Sequence, residues 1–451
     1  MVHRLCAGRQ SSHRTRDHHR VRRRRRGDGG PGREGRLRGI DGQPARIPHR
    51  GFHSRADERP EMMTALFRLF PPLGWLILLS AVLLTSLGLL GVYAGEVEGE
   101  GPASQTIRQS AYLGAGLVGV LIIQMFGYRR IGRWSYTLFG VTLVLLVLLI
   151  VAQKVPMEPL IRARRNTYRW IEIGPISFQV SEYAKLVYIL ALAYYLRFRT
   201  NYRSLSGLLG PFLLTLIPLG LILKEPDLGT SLLLLPTLFI MLYVAGAKLR
   251  HLGSIIAMGL IAAPLFYFSP LMNEYQRDRI RSLIKQDDSD AKWRLNAGYQ
   301  LSQSKIALGS GRALGQGFSE GAFFKHDLLP EEHNDFIFAV LGNQWGFFGC
   351  MGVLACYLVI VASGLTIASM TTDPLGRLLA VGVCVLIAAQ AIINIGMTVG
   401  LMPITGMTLP FVSMGGSGLL ANYLAIGLLI DVGRRRPLDM APKPFEFMDE
   451  S

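Results

Sequence analysis

Tyr275-Gln-Arg-Asp-Arg279 opens a stretch that runs through Asp287, Asp288 and Asp290, then Gly298-Tyr-Gln-Leu-Ser-Gln-Ser-Lys305, and closes on Leu329-Pro-Glu-Glu-His-Asn-Asp-Phe-Ile-Phe338. It is polar and glycine-rich and carries charge of both signs, yet it lies between segments apolar enough to cross a membrane. Roughly sixty residues without a long apolar run is unusual between spans, where loops are short and long ones tend to be functional. The rest of the chain reads as scaffold for this loop.

Outward from the loop, apolar runs near the roughly 20 residues needed to cross a bilayer fall at 71–95, 107–127, 135–153, 180–197, 207–224, 228–247, 252–270, 335–362, 376–400 and 415–432. The expectation is an all-α integral membrane protein of ten transmembrane helices, with the large loop between the seventh and eighth. Half of the 451 residues are hydrophobic and the mean hydropathy is +0.31, as when whole segments rather than single faces are apolar. Cytoplasmic loops are richer in Lys and Arg. The connections Tyr128-Arg-Arg-Ile-Gly-Arg133, Arg197 to Arg203, Lys248-Leu-Arg250 and Arg434-Arg-Arg436 all fall on one side. Both termini are thus expected in the cytoplasm and the large loop outside.

The net charge of +17 suggests nucleic acid at first sight, but residues 1–61 hold 17 Arg against 7 Asp and Glu. That tail has no Lys, an unbroken Arg22–Arg26 run and no helical or strand periodicity, and is expected to be disordered. It could attract RNA or anionic lipid. An overextended gene start suits it better, because Met62-Met63 directly precedes a short basic lead into the first span. No nucleic-acid partner is expected. The division is then a tail (1–61), a membrane domain (62–436) and a short cytoplasmic tail (437–451). Cys6, Cys350, Cys356 and Cys384 have no CxxC spacing, so packing is their expected role.

The loops expected outside break the orientation rule. They carry Lys154, Arg162, Arg164, Arg165, Arg169, Arg277, Arg279, Arg281, Lys285, Lys292, Arg294, Lys305, Arg312 and Lys325. Cations set against the topological bias imply an anionic ligand such as a phosphate or pyrophosphate headgroup, with outer-leaflet anionic lipid as the plainer alternative.

Around Phe178-Gln-Val-Ser-Glu-Tyr-Ala-Lys185, Ser181 could cap a helix. Glu182 would then lie in its first turn, with Lys185 three residues on along the same face. The two could form a local ion pair or line a headgroup site. Lys224-Glu-Pro-Asp-Leu-Gly-Thr230 reads as a tight turn in which Pro226 holds Glu225 extended and Asp227 caps the next helix. The ionisable groups there are expected to pair with one another or to take a structural role under the large loop. Gly309-Ser-Gly-Arg-Ala-Leu-Gly-Gln-Gly317 resembles a nucleotide-binding glycine motif only superficially, since no strand precedes it. His333 and Asp335 could form a catalytic pair, although Asn334 or Asp335 could equally cap the next helix. One histidine is too few for a zinc site. Gly400–Ser417, with Pro403, Pro410, Gly415 and Gly416, interrupts two helices, which at membrane depth is tolerated only beside protein or a cavity.

In order, Arg169-Trp-Ile, Phe178–Lys185, Glu225-Pro-Asp-Leu-Gly-Thr230, Gly298–Lys305, Leu329–Phe338 and Pro403-Ile-Thr-Gly-Met-Thr-Leu-Pro-Phe-Val-Ser413 resemble blocks of the SEDS family (shape, elongation, division and sporulation), which includes RodA, FtsW and SpoVE. Val180 replaces the usual proline, Met414 the usual tyrosine, and Asn343-Gln344 stand where acids are common. The resemblance, covering about residues 70–436, implies a glycosyltransferase that polymerises lipid II on the outer face of the bacterial cytoplasmic membrane, with a class B penicillin-binding protein as partner. The short C-terminal tail leans the reading to the RodA-like branch. The resemblance also implies a catalytic aspartate shortly before the Gly298 block, for which Asp290 is the choice and Asp287 and Asp288 the alternatives. Arg169, Trp170, Glu182, Lys185, Arg277, Arg279, Gln303, Lys305, His333 and Asp335 are the candidate substrate-binding residues, and Mg or Mn could assist. The rival readings are a lipid II flippase and a non-catalytic scaffold of the cell-wall synthase.

Overall fold

The computed structural model describes residues 71–98, 104–155, 161, 168–173, 176–199, 204–269, 277, 279–281, 283, 298–318 and 335–435. Its helices are α1 (Pro72–Glu98), α2 (Ser104–Phe126), α3 (Tyr128–Arg133), α4 (Ser135–Ala152), α5 (Val180–Leu196), α6 (Leu209–Lys224), α7 (Leu228–Ala245), α8 (Leu249–Phe268), α9 (Tyr299–Ser310), α10 (Ile337–Met370), α11 (Pro374–Val399) and α12 (Gly416–Arg434). Most of the long ones are apolar all round, the pattern of a membrane span rather than of a helix half in water.

Among the described residues eight helices, not ten, are long and apolar enough to span a membrane. The two expected spans that fall short are α5, with 17 residues, and α8, whose apolar part is Leu249–Leu265. In α5 the reason is length: the strand before it takes the chain up to Gln179 and the helix closes at Leu196. The chain is a multi-pass membrane protein. Its most enclosed spans are α11 and α12, 67% and 72% buried, which makes them the axis that α1, α2, α5 and α10 pack around.

A two-stranded hairpin, β1 (Trp170–Ile173) paired antiparallel with β2 (Ile176–Gln179), leads into α5 and was not expected from the sequence. Trp170 opposes Gln179 and Ile171 opposes Phe178. Since side chains alternate along a strand, Trp170, Ser177 and Gln179 share one face, while Ile171 and Phe178 take the other. α5 then begins at Val180, so Ser181 is not its cap.

Helix α10 is broken at Gly346 (φ 64°, ψ −157°), a conformation nearly restricted to glycine. The Gly309–Gly317 segment fills the break with backbone. Gln316 and Gly317 N–H donate to the Asn343 and Gln344 carbonyls (2.9 and 3.3 Å), and Phe347 and Phe348 N–H donate to Arg312 and Ala313 (2.9 and 3.3 Å). A Cβ on Gly315 would lie 2.0 Å from the Gln344 carbonyl oxygen. This close backbone contact is what the glycine-rich run serves.

The chain is interrupted again at 400–415, between α11 and α12, as the prolines and glycines there predict. Here backbone turns close the two ends, as Leu401 N–H to Gly396 O and Ser413 N–H to Leu409 O, and side chains take several groups between them. Arg279 donates to Thr405 O (2.6 Å) and Gln390 to Thr408 O (2.8 Å), while Asn394 donates to Met407 O and Tyr357 to Pro410 O. Leu409 N–H donates to Ser413 Oγ (2.7 Å).

Candidate active site

The second interruption walls a cavity of about 530 Å³. β1–β2, the starts of α2, α5, α7, α9 and α12, and the middle of α11 complete it. Six of the expected site residues line it together: Arg169, Trp170, Glu182, Lys185, Arg279 and Asp335.

At its floor Lys185 Nζ donates to both Glu182 oxygens at 3.0 Å and to Gln390 Oε1 at 3.2 Å. Both charged side chains are buried, and a buried ion pair holds only when its remaining valences are also met. Gln390 meets one and anchors itself through Thr408 O. Glu182 lies against Gly418 in the first turn of α12, where a Cβ would come within 3.2 Å of its Oε2.

Beside this pair, Asp227 accepts from Ser181 Oγ (3.0 Å), Thr230 Oγ1 (2.9 Å) and, as the expected cap of α7, Thr230 N–H (3.2 Å). Two residues earlier the expectation of mutual pairing fails. Glu225 is fully buried and neither carboxyl oxygen has a hydrogen-bond partner. Burial, followed by the neighbouring Asp227 charge, raises its pKa to about 8, against a downward pull from Arg169. Arg169 instead donates to the Glu225 and Pro226 carbonyls (2.8 and 2.6 Å). Glu225 is also not extended (φ −84°, ψ 20°), because the end of α6 wraps over it through Glu225 N–H and Asp227 N–H to Ile222 O.

Across the cavity, Gly406 (φ +70°) lies against Arg279 and Asp335. A Cβ there would meet Arg279 Nη2 at 3.3 Å and Asp335 Oδ2 at 3.5 Å. Asp335 is not the cap of α10, which begins after Phe336 without a side-chain cap. Its carbonyl is held by Asn394 (2.9 Å).

Three expected residues do not line the cavity. Arg277 donates to Ser269 O (2.7 Å). Lys305 is exposed on α9 and Gln303 is half-buried there, whereas Gln300, one turn earlier, does face in. Asp287, Asp288, Asp290 and His333 lie outside the described residues. Sequence reasoning passed over Arg108, Gln109 and Gln390. Their signal was a lone polar side chain at the edge of, or inside, an apolar run.

No three His, Cys, Asp or Glu side chains among the described residues are grouped to hold a metal ion. Glu182 and Asp227 already use their oxygens within the protein.

Residues 67–437 match the FtsW, RodA and SpoVE family of cell cycle proteins. The chain belongs to this family. It is 34% identical over 79% of its length to 92% of a probable peptidoglycan glycosyltransferase FtsW from Trichlorobacter lovleyi. It is also 32% identical over 73% of its length to 86% of the peptidoglycan glycosyltransferase MrdB of Escherichia coli. Among solved structures it superposes on a chain from a study of how a peptidoglycan synthase complex coordinates polymerisation and crosslinking (TM-score 0.67, 30% identity, 81% of this chain and 98% of that one). It superposes also on the rod shape determining protein RodA of Thermus thermophilus (TM-score 0.59, 30% identity, the same coverage). The similarity to FtsW and to MrdB is of the same order, so it does not separate the branches of the family.

Proposed function

We propose that the protein is a peptidoglycan glycosyltransferase that polymerises lipid II at the outer face of the bacterial cytoplasmic membrane, with both termini in the cytoplasm. The observation that carries this reading is the grouping of Arg108, Arg169, Lys185 and Arg279 around one cavity at the ends of the spans. Four cations against the three carboxylates Glu182, Asp227 and Asp335, of which Glu182 is already paired with Lys185, leave a positive wall that suits an anionic headgroup of the pyrophosphate class. Peptidoglycan glycosyltransferase is also the printed activity of the FtsW and MrdB relatives.

In the reaction, an acceptor sugar hydroxyl attacks the anomeric carbon of a sugar carrying polyprenyl pyrophosphate. The new glycosidic C–O bond forms as the bond to the pyrophosphate breaks, with inversion at that carbon. The hydroxyl proton passes to a carboxylate base, and the leaving pyrophosphate takes up the growing negative charge, which preorganised cations stabilise. Glu182 is committed to Lys185 and Asp227 to its hydroxyl donors, and the family resemblance implies a base among the loop aspartates. Asp290 is our assignment, with Asp287 and Asp288 as alternatives. Trp170 and Gln300 offer contacts to the sugars, and a class B penicillin-binding protein would crosslink the product.

The test is glycan polymerisation from purified lipid II in detergent, where no transport can occur. Wild-type protein should form polymer, and Asp290→Ala should abolish it while the melting temperature is kept. Full activity in Asp290→Ala moves the base to Asp287 or Asp288. No polymer from the wild type, with or without the crosslinking partner, rejects the enzyme in favour of a flippase or a scaffold. Running the assay with and without chelator tests whether Mg or Mn takes part.

A further inference from the structure

The helices that frame the active-site cavity also frame a second one at their opposite ends. α2 runs from Gln105 and Arg108 in the first cavity to Phe126 in the second, α5 from Glu182 and Lys185 to Arg197, and α12 from Gly416 to Arg435. α12 alone is about 28 Å long at 1.5 Å per residue, close to the roughly 30 Å of a bilayer's hydrocarbon. The two cavities therefore open on opposite membrane faces.

The second cavity, of about 400 Å³, is lined by five arginines, Arg129, Arg130, Arg133, Arg197 and Arg435, and one acid, Asp373. Part of this charge is used internally. Arg435 donates to Asp431 (2.8 Å) and to Gln124 O (2.9 Å), while Arg129 lies 3.6 Å from Asp373, which also accepts from Tyr128 OH (2.7 Å). The rest is not. The guanidiniums of Arg130 and Arg133 make no hydrogen bond or ion pair with any described residue. Arg197 stacks on Tyr194 and Phe198 (3.5 and 4.5 Å from the ring centroids), with its buried Nε unpartnered. Exposed Phe126 and Phe198 line the same cavity.

Guanidiniums converging on a small cavity at the membrane boundary match the planar, multidentate recognition of a phosphate group, and apolar rings beside them suit acyl chains. We infer that this cavity binds the phosphate headgroup of an anionic phospholipid in the leaflet opposite the active site, joining α3, the end of α5, the start of α11 and the end of α12. The inference rests on the multi-pass fold and not on the chemistry proposed for the other cavity.

The test is native mass spectrometry of the full chain in detergent with equal phosphatidylglycerol and phosphatidylethanolamine. The wild type should retain phosphatidylglycerol in preference, and Arg130→Gln/Arg133→Gln should hold it about tenfold less tightly. Arg130→Lys/Arg133→Lys, which keeps the charge, should retain most of it and so guards against a folding defect. Polymerisation in lipid-free detergent should be the same in all three, so loss of that activity in the wild type would sink the glycosyltransferase reading while leaving this one standing. Equal retention of both lipids, or of phosphatidylglycerol by the Gln variant, overturns the inference. So does displacement of the lipid by millimolar inorganic phosphate, which assigns a soluble phosphate, or by a polyglutamate peptide, which assigns an acidic protein segment.

Discussion

The helical backbone is interrupted within α10 and again between α11 and α12, and the two interruptions are repaired by different means. At Gly346 the freed amides and carbonyls meet other backbone, supplied by Arg312–Gly317. At 400–415 backbone turns close the two ends, but the carbonyls of Thr405, Met407, Thr408 and Pro410 and the amide of Leu409 meet side chains of Arg279, Asn394, Gln390, Tyr357 and Ser413. Backbone repair needs only that no side chain intrude. Side-chain repair uses polar groups of which some also reach a cavity, as Arg279 and Gln390 do. An interruption of the second kind thus ties the shape of the main chain to the polar groups of the site.

That contrast can be attacked at several strengths. The largest effect is expected from Lys185→Met, which leaves Glu182 buried without its cation. Loss of one partner of a buried pair costs about 3–5 kcal/mol, so both the melting temperature and polymerisation should collapse, and a folded, active variant would show that the pair is dispensable. Gly315→Val should come next, costing about 3 kcal/mol through overpacking and a left-handed φ of +85°. Any folded fraction should polymerise with an unchanged KM, whereas a changed KM would mean that the α10 interruption also shapes the site. Gln390→Leu should cost about 2 kcal/mol for its orphaned partners and lower polymerisation about tenfold to a hundredfold by releasing Lys185 and the Thr408 carbonyl. Loss of stability without loss of rate would erase the distinction between the two repairs.

The smallest effect is in pH dependence. Glu225 has a folded-state pKa of about 8, above its unfolded value. Between about pH 5 and about pH 8 the folded chain keeps a proton that the unfolded chain has released, so stability falls as pH rises through that window and levels off above it. Glu225→Gln should flatten this part of a melting-temperature profile, and parallel profiles for the two proteins would show that Glu225 does not set the slope.

Much of this was legible in the residues themselves. Apolar run lengths place the spans within three residues except at the end of α10, which runs on to Met370, and Pro403, Pro410 and Gly415 mark the second interruption because they do not readily continue a helix. The hairpin escaped because two four-residue strands around Gly174-Pro175 carry too short an alternation to stand out from a loop. Charge guided the choice of Lys305, but charge says nothing of direction. Five residues beyond Gln300 is about 140° around a helix, and Lys305 is exposed while Gln300 faces the cavity. Gln390 looked like one polar residue in an apolar span. Its role depends on Lys185 and Thr408, which only the folded chain brings beside it.

Gly346 also divides α10 between two solvents. Before it, Ile337–Gln344 is buried throughout, and after it Phe347, Phe348, Met351, Leu354 and Leu358 are exposed along the outside of the bundle. The first part is held to fixed shapes by the neighbours it fits, while the outward face of the second needs only to dissolve in hydrocarbon. Exchanging one aliphatic residue for another should be tolerated at Leu354 or Leu358 and punished at Val340 or Leu341, although all four fall in what reads from the sequence as a single span.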